Sequence, residues 1–176
     1  DWIILHGLRG LTTYPLLDFW MPRITALGNS GIVWVVAAIV LLCTKKYRRY
    51  GVMLLVGLAA ALLLGNLALK NLFARPRPCW LDESVPLLIA RPSDYSFPSG
   101  HTMAGAIGAT ILTAADRRFG GAAIPLAVLI AFSRLYLYVH FPSDVLGGAV
   151  LGVGIGLLML YGERRIAGRC KHRPLQ

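Results

Sequence analysis

Residues 70 to 144 contain three short groups of side chains whose types suit phosphate chemistry. In the first group, Lys70 is followed after six residues by the pair Arg77-Pro78. An arginine guanidinium is planar and presents a fixed fork of N–H donors, which can hold two phosphate oxygens at once. Lys70 has a simpler alternative, because its long stem also suits a lysine that anchors a helix at the headgroup level of a membrane.

The second group is the run Pro98-Ser99-Gly100-His101. Proline and serine are favoured where a helix begins, so the run predicts a helix start with free backbone N–H groups. Such a start binds anions, and a glycine there lets the backbone come close to a ligand. The alternatives are that Ser99 only caps the helix and that His101 is a polar residue at headgroup level.

The third group is Ser133-Arg134, followed by His140 and Asp144. His140 and Asp144 are four residues apart, so one helical turn would place them on the same face, and Pro142 indicates a helix start there. A carboxylate bonded to one ring nitrogen of a histidine fixes the tautomer and leaves the other nitrogen as nucleophile or base. A charge such as Arg134 near a membrane is expensive, and we interpret it as functional.

Together the three groups contain what phosphoryl transfer requires: positive charge around the phosphate oxygens, a nucleophile, and an acid for the leaving oxygen. The predicted phosphate-binding residues are Lys70, Arg77, Ser99, Gly100 and Arg134, and the predicted catalytic residues are His101, His140 and Asp144. A metal site would need several carboxylates or a histidine cluster, and acidic residues are few in the same segments. We therefore expect no metal and no other cofactor.

The elements that must position these residues are apolar blocks. The chain has 176 residues, of which 56% are hydrophobic, and its mean hydropathy is +0.62. A helix needs about 20 apolar residues to cross the bilayer core. Five blocks meet or approach this length, at about 30–44, 51–73, 99–115, 121–139 and 143–162. We predict an all-α fold, a polytopic transmembrane bundle with five full spans, in a single domain of residues 1–176.

The N-terminal segment, residues 1–29, is less regular. Charged and polar residues interrupt its apolar pattern, and Pro15 and Pro22 are expected to break it, which favours an interfacial or broken helix. A sixth, imperfect span is the alternative. Residues 30–162 form the predicted transmembrane core, and 163–176 form a basic tail.

The connection 74–98 contains five prolines, and we expect it to be ordered, stiff and non-helical. Among the three cysteines, no spacing indicates a metal site or a redox pair, and we expect no disulfide. Cys79, which lies in this connection, is predicted to be structural.

Orientation follows from basic residues, which cluster at 45–49, 117–118 and 164–173. With five spans, all three clusters fall on one side, which the positive-inside rule makes cytoplasmic. The candidate site then faces the periplasm or the cell exterior, and the C-terminus is cytoplasmic. Because these clusters explain much of the net charge of +10, we expect no nucleic-acid partner.

In these three groups the sequence resembles the type 2 phosphatidic acid phosphatase family, whose superfamily includes the vanadium haloperoxidases. The resemblance covers residues 70–144 directly and implies a core of six membrane helices. It implies that His140 attacks phosphorus and becomes phosphohistidine, that Asp144 orients and stabilises His140, and that His101 protonates the leaving oxygen. The five predicted phosphate-binding residues would hold the phosphate.

The resemblance further implies an integral enzyme of the cell membrane, of bacterial type, whose substrate is a lipid phosphate. Undecaprenyl diphosphate and phosphatidylglycerol phosphate are the favoured substrates, with phosphatidic acid and lipid A phosphate as alternatives. A lipid-phosphate carrier, a vanadate-dependent haloperoxidase and a serine hydrolase that uses Ser99 with His140 remain as other functions. The oligomeric state stays open.

Overall fold

The computed structural model of the protein describes residues 1–9 and 14–171, with the side chains of 1–8 and 14–165. Within these ranges the chain forms helices and connecting segments without a β-strand, so the prediction of an all-α fold is confirmed. The helices are α1 (Trp2–Arg9), α2 (Pro15–Leu27), α3 (Ile32–Cys43), α4 (Arg48–Ala61), α5 (Lys70–Phe73), α6 (Pro78–Leu81), α7 (Gly100–Ala115), α8 (Arg117–Tyr136) and α9 (Pro142–Lys171).

The N-terminal segment breaks at a different place from the one predicted. Pro15 begins α2 instead of breaking it, because a proline at the first helical position gives up no helical hydrogen bond. Pro22 lies inside α2, which continues past it. The chain bends by 48° between α2 and the helical run that includes α3. Ser30 and Gly31 there have φ angles of 51° and 67°, a left-handed conformation that cannot continue an α-helix.

A π-helical stretch, Leu62–Leu69, connects α4 to α5 without a break. Its hydrogen bonds run from residue i to i+5, so each ring contains one residue more than in an α-helix. Lys70 is the first residue after this stretch. The π-helical stretch therefore sets the direction in which Lys70 leaves the helix.

Three helical segments of the described chain are long and apolar enough to cross a membrane: Arg48–Leu81, Arg117–Tyr136 and Pro142–Arg165. The bent pair of Pro15–Leu27 and Asn29–Cys43 makes a fourth if it counts as one span. At 16 residues, α7 is about 24 Å long, which is shorter than the bilayer core of about 30 Å. Because the other long helices can cross the membrane, the protein is an integral membrane protein.

Close packing of α9 against α7 sets the position of the third sequence group. A Cβ atom added at Gly148 would lie 2.6 Å from the carbonyl oxygen of Ser99, and one added at Gly152 would lie 2.4 Å from that of Met103. Any Cβ atom would clash at such distances, so both positions require glycine. Small residues of this kind allow helix backbones to approach each other closely within a membrane. One turn before Gly148, the carbonyl of Asp144 accepts a hydrogen bond of 3.1 Å from the Ser99 amide.

Side-chain contacts bring the connections α3–α4 and α7–α8 together with α9 at one end of the bundle. The hydroxyl of Tyr47, between α3 and α4, donates to Asp116, between α7 and α8, at 3.1 Å. Arg49 pairs with Glu163 of α9 at 3.0 Å. The first two basic clusters of the sequence therefore lie at the same end, whereas most of the predicted tail 163–176 lies outside the residues whose side chains are described.

The sequence predicted that the connection 74–98 is non-helical, but the structure contains a short helix there. Pro78 begins the four-residue helix α6, again at a position where its missing N–H costs nothing. Cys79 of α6 is buried, with 3% of its surface exposed, and packs in an apolar cluster with Tyr136 and Val139.

Candidate active site

A cavity of about 1020 Å³ opens where α2, α4, α7 and the connection 74–98 meet. Six of the eight predicted site residues line it: Lys70, Arg77, Gly100, His101, Arg134 and His140. The other two, Ser99 and Asp144, are fully buried. Part of the wall is apolar and comes from α3 and α4, through Val35, Leu55 and Leu58. The cavity thus joins a polar, cationic region to an apolar one.

Arg77 is buried at 2% exposure and links the connection 74–98 to the third sequence group. Its Nε donates to the backbone oxygen of Asp94 at 2.6 Å, and one terminal nitrogen donates to the Asp94 carboxylate at 2.6 Å. The other terminal nitrogen donates to the carbonyl of Val139 at 2.7 Å and lies 3.1 Å from Nε2 of His140. A guanidinium nitrogen only donates, so Nε2 of His140 accepts and carries no hydrogen.

His140 is 1% exposed and lies in the short connection between α8 and α9. Burial lowers its pKa to about 3, and although Asp144 favours the charged ring, the nearby cations Arg77 and Arg134 oppose it. The imidazole is therefore neutral at physiological pH, with a lone pair on Nε2.

Asp144 does not contact His140 as directly as the sequence predicted. Its Oδ2 is 3.6 Å from Nδ1 of His140, beyond the usual length of a hydrogen bond. The carboxylate instead accepts hydrogen bonds from Ser96 at 2.5 Å, from the amide of Phe141 at 2.8 Å and from Arg75 at 2.6 Å. These three donors hold it away from the ring.

Lys70 and Arg77 share one acidic partner, Asp94. The carboxylate of Asp94 pairs with the Lys70 ammonium through one oxygen and with the guanidinium of Arg77 through the other. Partial burial raises the pKa of Asp94, but the hydrogen bond from Lys70 and the charge of Arg77 outweigh it and lower the pKa to about 2. The side chain stays 53% exposed, so Asp94 faces the cavity as a permanent anion.

The cavity is also lined by Arg134 and His101. Arg134 is 4% exposed and donates to the hydroxyl of Thr25 in α2 at 2.7 Å, while its Nε is buried without a hydrogen-bond partner. Nε2 of His101 lies 3.0 Å from the amide oxygen of Asn29. An amide oxygen only accepts, so this ring nitrogen carries a hydrogen.

Ser99 precedes the first residue of α7 but does not cap the helix through its side chain. Its hydroxyl instead accepts a hydrogen bond from Thr102 at 3.0 Å. Gly100 opens α7 against Asn66, whose amide oxygen would lie 3.0 Å from an added Cβ.

The sequence pattern of the PAP2 superfamily matches residues 46–166, which is more than half of the chain. This chain belongs to the PAP2 superfamily. The matched region contains all three groups of the sequence signature, and the resemblance found in the sequence is confirmed.

Two PAP2 relatives illustrate the range of similarity. The chain is 36% identical over 127 residues to an undecaprenyl-diphosphatase of Sulfolobus acidocaldarius, which covers 72% of this chain but 61% of that protein. It is 31% identical over 158 residues to the undecaprenyl-diphosphatase BcrC of Bacillus subtilis, covering 88% of this chain and 80% of the relative.

Two solved structures share the PAP2 fold with this chain. LpxE of Aquifex aeolicus superposes with a TM-score of 0.75 and 30% identity, over 92% of this chain and 94% of LpxE. A transmembrane PAP2-type phosphatidylglycerolphosphate phosphatase of Bacillus subtilis superposes with a TM-score of 0.72 and 28% identity, over 93% and 88% of the two chains.

Four polar residues of this PAP2 site were not predicted from the sequence: Asn29, Arg75, Asp94 and Ser96. The nearest signal was position, since Asp94 and Ser96 precede the Ser99-Gly100 pair within six residues. Arg75 lies two residues before Arg77, in the run Arg75-Pro76-Arg77-Pro78. Nothing in the local pattern marks Asn29, because the bend between α2 and α3 brings it to His101.

The carboxylates at this PAP2 site already have basic or hydrogen-bonding partners. Asp94 pairs with Lys70 and Arg77, and Asp144 pairs with Arg75. Among the residues that the structure describes, no group of three histidine, cysteine or acidic side chains could hold a metal ion.

Proposed function

We propose that this protein is a metal-independent phosphatase that removes phosphate from a membrane lipid through a phosphohistidine intermediate on His140. One observation carries the proposal above the others. The unprotonated Nε2 of His140 lies at a cavity lined by the cations Lys70, Arg77 and Arg134. A neutral imidazole lone pair among fixed positive charges suits attack on a phosphate that those charges hold.

In the first step, the Nε2 lone pair forms a bond to phosphorus while the bond from phosphorus to the lipid oxygen breaks. The leaving oxygen takes the electron pair of that bond and a proton from the protonated ring of His101, which also lines the cavity. The three cations spread over the equatorial oxygens, with Ser99 and Gly100 at the start of α7 as further phosphate contacts.

In the second step, water attacks phosphorus and the bond to Nε2 breaks, which returns the lone pair to the ring. His101, now without the donated proton, accepts one from the attacking water. Inorganic phosphate leaves, and both histidines regain their starting protonation. Asp144 balances the positive charge that the His140 ring carries while phosphorus is bound.

No step of this route needs a metal ion. The carboxylates that face the cavity or support it are bound to arginine and lysine side chains. We expect EDTA to leave most of the activity intact. Complete loss of activity that Mg²⁺ restores would contradict the proposal.

The substrate is proposed to be a lipid phosphate, with undecaprenyl diphosphate or phosphatidylglycerol phosphate favoured. The names of the relatives support these two lipids, although the match to the archaeal relative spans 61% of that protein's length. The apolar wall from α3 and α4 gives a lipid chain a place next to the cationic region.

We propose five spans with an N-terminal interfacial or broken helix, inside a single domain of residues 1–176. The first basic clusters lie at one end of the bundle and the cavity lies at the other, which supports a cytoplasmic C-terminus and an active site on the periplasmic or outer face of a cell membrane. The organisms of the relatives make a prokaryotic membrane the favoured location.

Cysteine labelling tests this topology. In a variant without native cysteines, Glu83→Cys is expected to react with a membrane-impermeant maleimide in intact cells. Lys45→Cys is expected to react only after the cells are permeabilised. The reverse pattern would contradict the proposed orientation.

Phosphate release tests the activity itself. The purified protein in detergent is given undecaprenyl diphosphate, phosphatidylglycerol phosphate, phosphatidic acid and lipid A, each with and without vanadate. Release of inorganic phosphate that vanadate inhibits supports a phosphatase. Binding without release would instead support the carrier, and covalent capture by a fluorophosphonate would support the serine hydrolase that uses Ser99 with His140.

A further inference from the structure

Ser96 lies between the two residues that the proposed reaction couples. Its Oγ is 2.5 Å from Oδ2 of Asp144 and 3.4 Å from Nδ1 of His140, whereas the carboxylate and the ring nitrogen are 3.6 Å apart. We propose that Ser96 is a positioning residue that connects His140 to Asp144 through its hydroxyl. This inference rests on the proposed function, in which His140 is the nucleophile.

Counting hydrogens fixes the direction of both contacts. An ionised carboxylate only accepts, so the single hydrogen of the Ser96 hydroxyl goes to Asp144. The remaining lone pairs of the hydroxyl oxygen accept from Nδ1 of His140, which must then carry a hydrogen. The same assignment leaves Nε2 bare, in agreement with the hydrogen bond that Nε2 accepts from Arg77.

The surroundings keep the hydroxyl and the carboxylate in place. Ser96 is fully buried, and its amide donates to the carbonyl of Arg75 at 2.9 Å. The guanidinium of Arg75 in turn holds Asp144 at 2.6 Å and lies 4.3 Å from the ring centroid of Phe141. Asp144 is therefore fixed from the side away from His140, and the hydroxyl of Ser96 fills the gap.

The connection matters most when His140 is phosphorylated. As Nε2 bonds to phosphorus, the ring gains a positive charge and Nδ1–H becomes a stronger donor. Charge-assisted hydrogen bonds are shorter than neutral ones, so the 3.4 Å contact is expected to tighten at this stage. No proton moves along the chain, because the polarised hydroxyl only brings the negative charge of Asp144 to bear on the ring.

The test uses Ser96→Ala, Ser96→Thr and the matched control Ser84→Ala. Ser84 lies in the same connection, but its hydroxyl donates to Asp82, outside the cavity lining. We expect Ser96→Ala to lower kcat by roughly 10–100-fold, by analogy with loss of a hydrogen-bond partner that orients a metal-binding histidine. KM should change by less than about three-fold, because the phosphate contacts remain. Ser96→Thr should recover much of the rate, and the control should match wild type.

A second measurement needs no substrate. Nitrogen-15 NMR of histidine-labelled protein in detergent shows which ring nitrogen carries the hydrogen. We expect the proton of His140 on Nδ1 in wild type and in Ser96→Thr, and a mixture of tautomers in Ser96→Ala. A wild-type proton on Nε2, or an unchanged kcat in Ser96→Ala, would overturn the inference. Absence of phosphate release by wild type would overturn the proposed function. The hydrogen bond between Ser96 and His140 would then be tested by the tautomer of His140 only.

Discussion

His140 and His101 line the same cavity, and the structure surrounds them differently. His140 is 1% exposed and has a contact at each ring nitrogen, from Arg77 at Nε2 and from Ser96 at Nδ1. His101 is partly exposed, and its side-chain contact is with Asn29. The His140 ring is held at both of its nitrogens, whereas the His101 ring is held at one.

This difference fits the two roles proposed for the histidines. A nucleophile must present the same lone pair to every phosphate, and a fixed tautomer provides that. A general acid must reach the leaving oxygen, whose position varies with the lipid, and a ring with fewer contacts can adjust. One cavity can thus combine a nucleophile that is held at both ring nitrogens with an acid that is held at one.

The largest expected effect comes from His140→Ala. Without the nucleophile, this route has no first step, so activity should be lost on every substrate. Acid-quenched wild type should contain acid-labile phosphate bound to protein, and His140→Ala should contain none. Size-exclusion chromatography and circular dichroism provide the folding control. Trapped phosphate on Ser99 would contradict the assignment of the nucleophile.

His101→Ala should have a smaller effect that depends on the substrate. Loss of a general acid typically costs 10²–10⁴-fold, and less when the leaving group is good. We therefore expect near-complete loss on a lipid monophosphate and partial recovery on an aryl phosphate or a diphosphate. Comparison of kcat/KM across these substrates measures the difference. Equal losses on all of them would remove the distinction between the two histidines.

A third test weakens the contact between α7, which carries His101, and α9, which carries Asp144. An added Cβ at Gly152 would lie 2.4 Å from a backbone oxygen of α7, whereas nothing lies within 4 Å of one at Gly154. Gly152→Ala should therefore cost about 1–3 kcal/mol of stability and lower the rate, since α9 carries Asp144 and α7 carries His101.

Gly154→Ala is the matched control for this test, because it adds the same methyl group to the same helix. Thermal unfolding in detergent, with kcat measured in parallel, compares the two variants. If Gly152→Ala were as stable and as active as Gly154→Ala, the close packing of α9 against α7 would not be what holds Asp144 and His101 in their relative positions.

The smallest expected effect concerns Asp94, which pairs with Lys70 and Arg77. Asp94→Asn removes a negative charge that repels the substrate phosphate. Because the carboxylate is 53% exposed, one charge at a distance of about 4 Å is worth about 1 kcal/mol, or roughly five-fold in affinity. Vanadate and inorganic phosphate should thus inhibit Asp94→Asn at lower concentrations.

Glu83→Gln is the control for Asp94→Asn. It removes a charge from the same connection, where Glu83 pairs with Arg91 at 2.8 Å. Inhibition constants for vanadate should be unchanged in this control. Weaker inhibition of Asp94→Asn would mean that Asp94 mainly holds Lys70 and Arg77 in position.

The sequence predicted those parts of the molecule that depend on local pattern. Apolar block length gave an all-α membrane fold, and Pro142 marked the start of α9. The bend between α2 and α3 was misplaced, because proline near a helix start is tolerated and left-handed backbone at Ser30 has no sequence signal. The bend then decides that Asn29 meets His101, so the error in the fold carried over to the site.

The site shows the same limit at closer range. The eight predicted residues came from spacing, which indicates what shares a helical turn. Spacing does not show how far a carboxylate stands from a ring, and the 3.6 Å between Asp144 and His140 depends on Arg75, more than sixty residues earlier in the chain. Contacts of this kind arise from tertiary packing and cannot be read from a short motif.

The π-helical stretch Leu62–Leu69 has a genetic consequence. Removing one residue from an α-helix turns the helix after it by about 100° relative to the helix before it. Within 62–69 each hydrogen-bonded ring contains one residue more than in an α-helix, so a deletion there lets the stretch close into α-helical turns and leaves Lys70 directed toward Asp94 and the cavity. An in-frame deletion of one codon within 62–69 is thus expected to be tolerated better than one within 48–61, which would reproduce the phenotype of a Lys70 substitution in an allele whose signature residues are all intact.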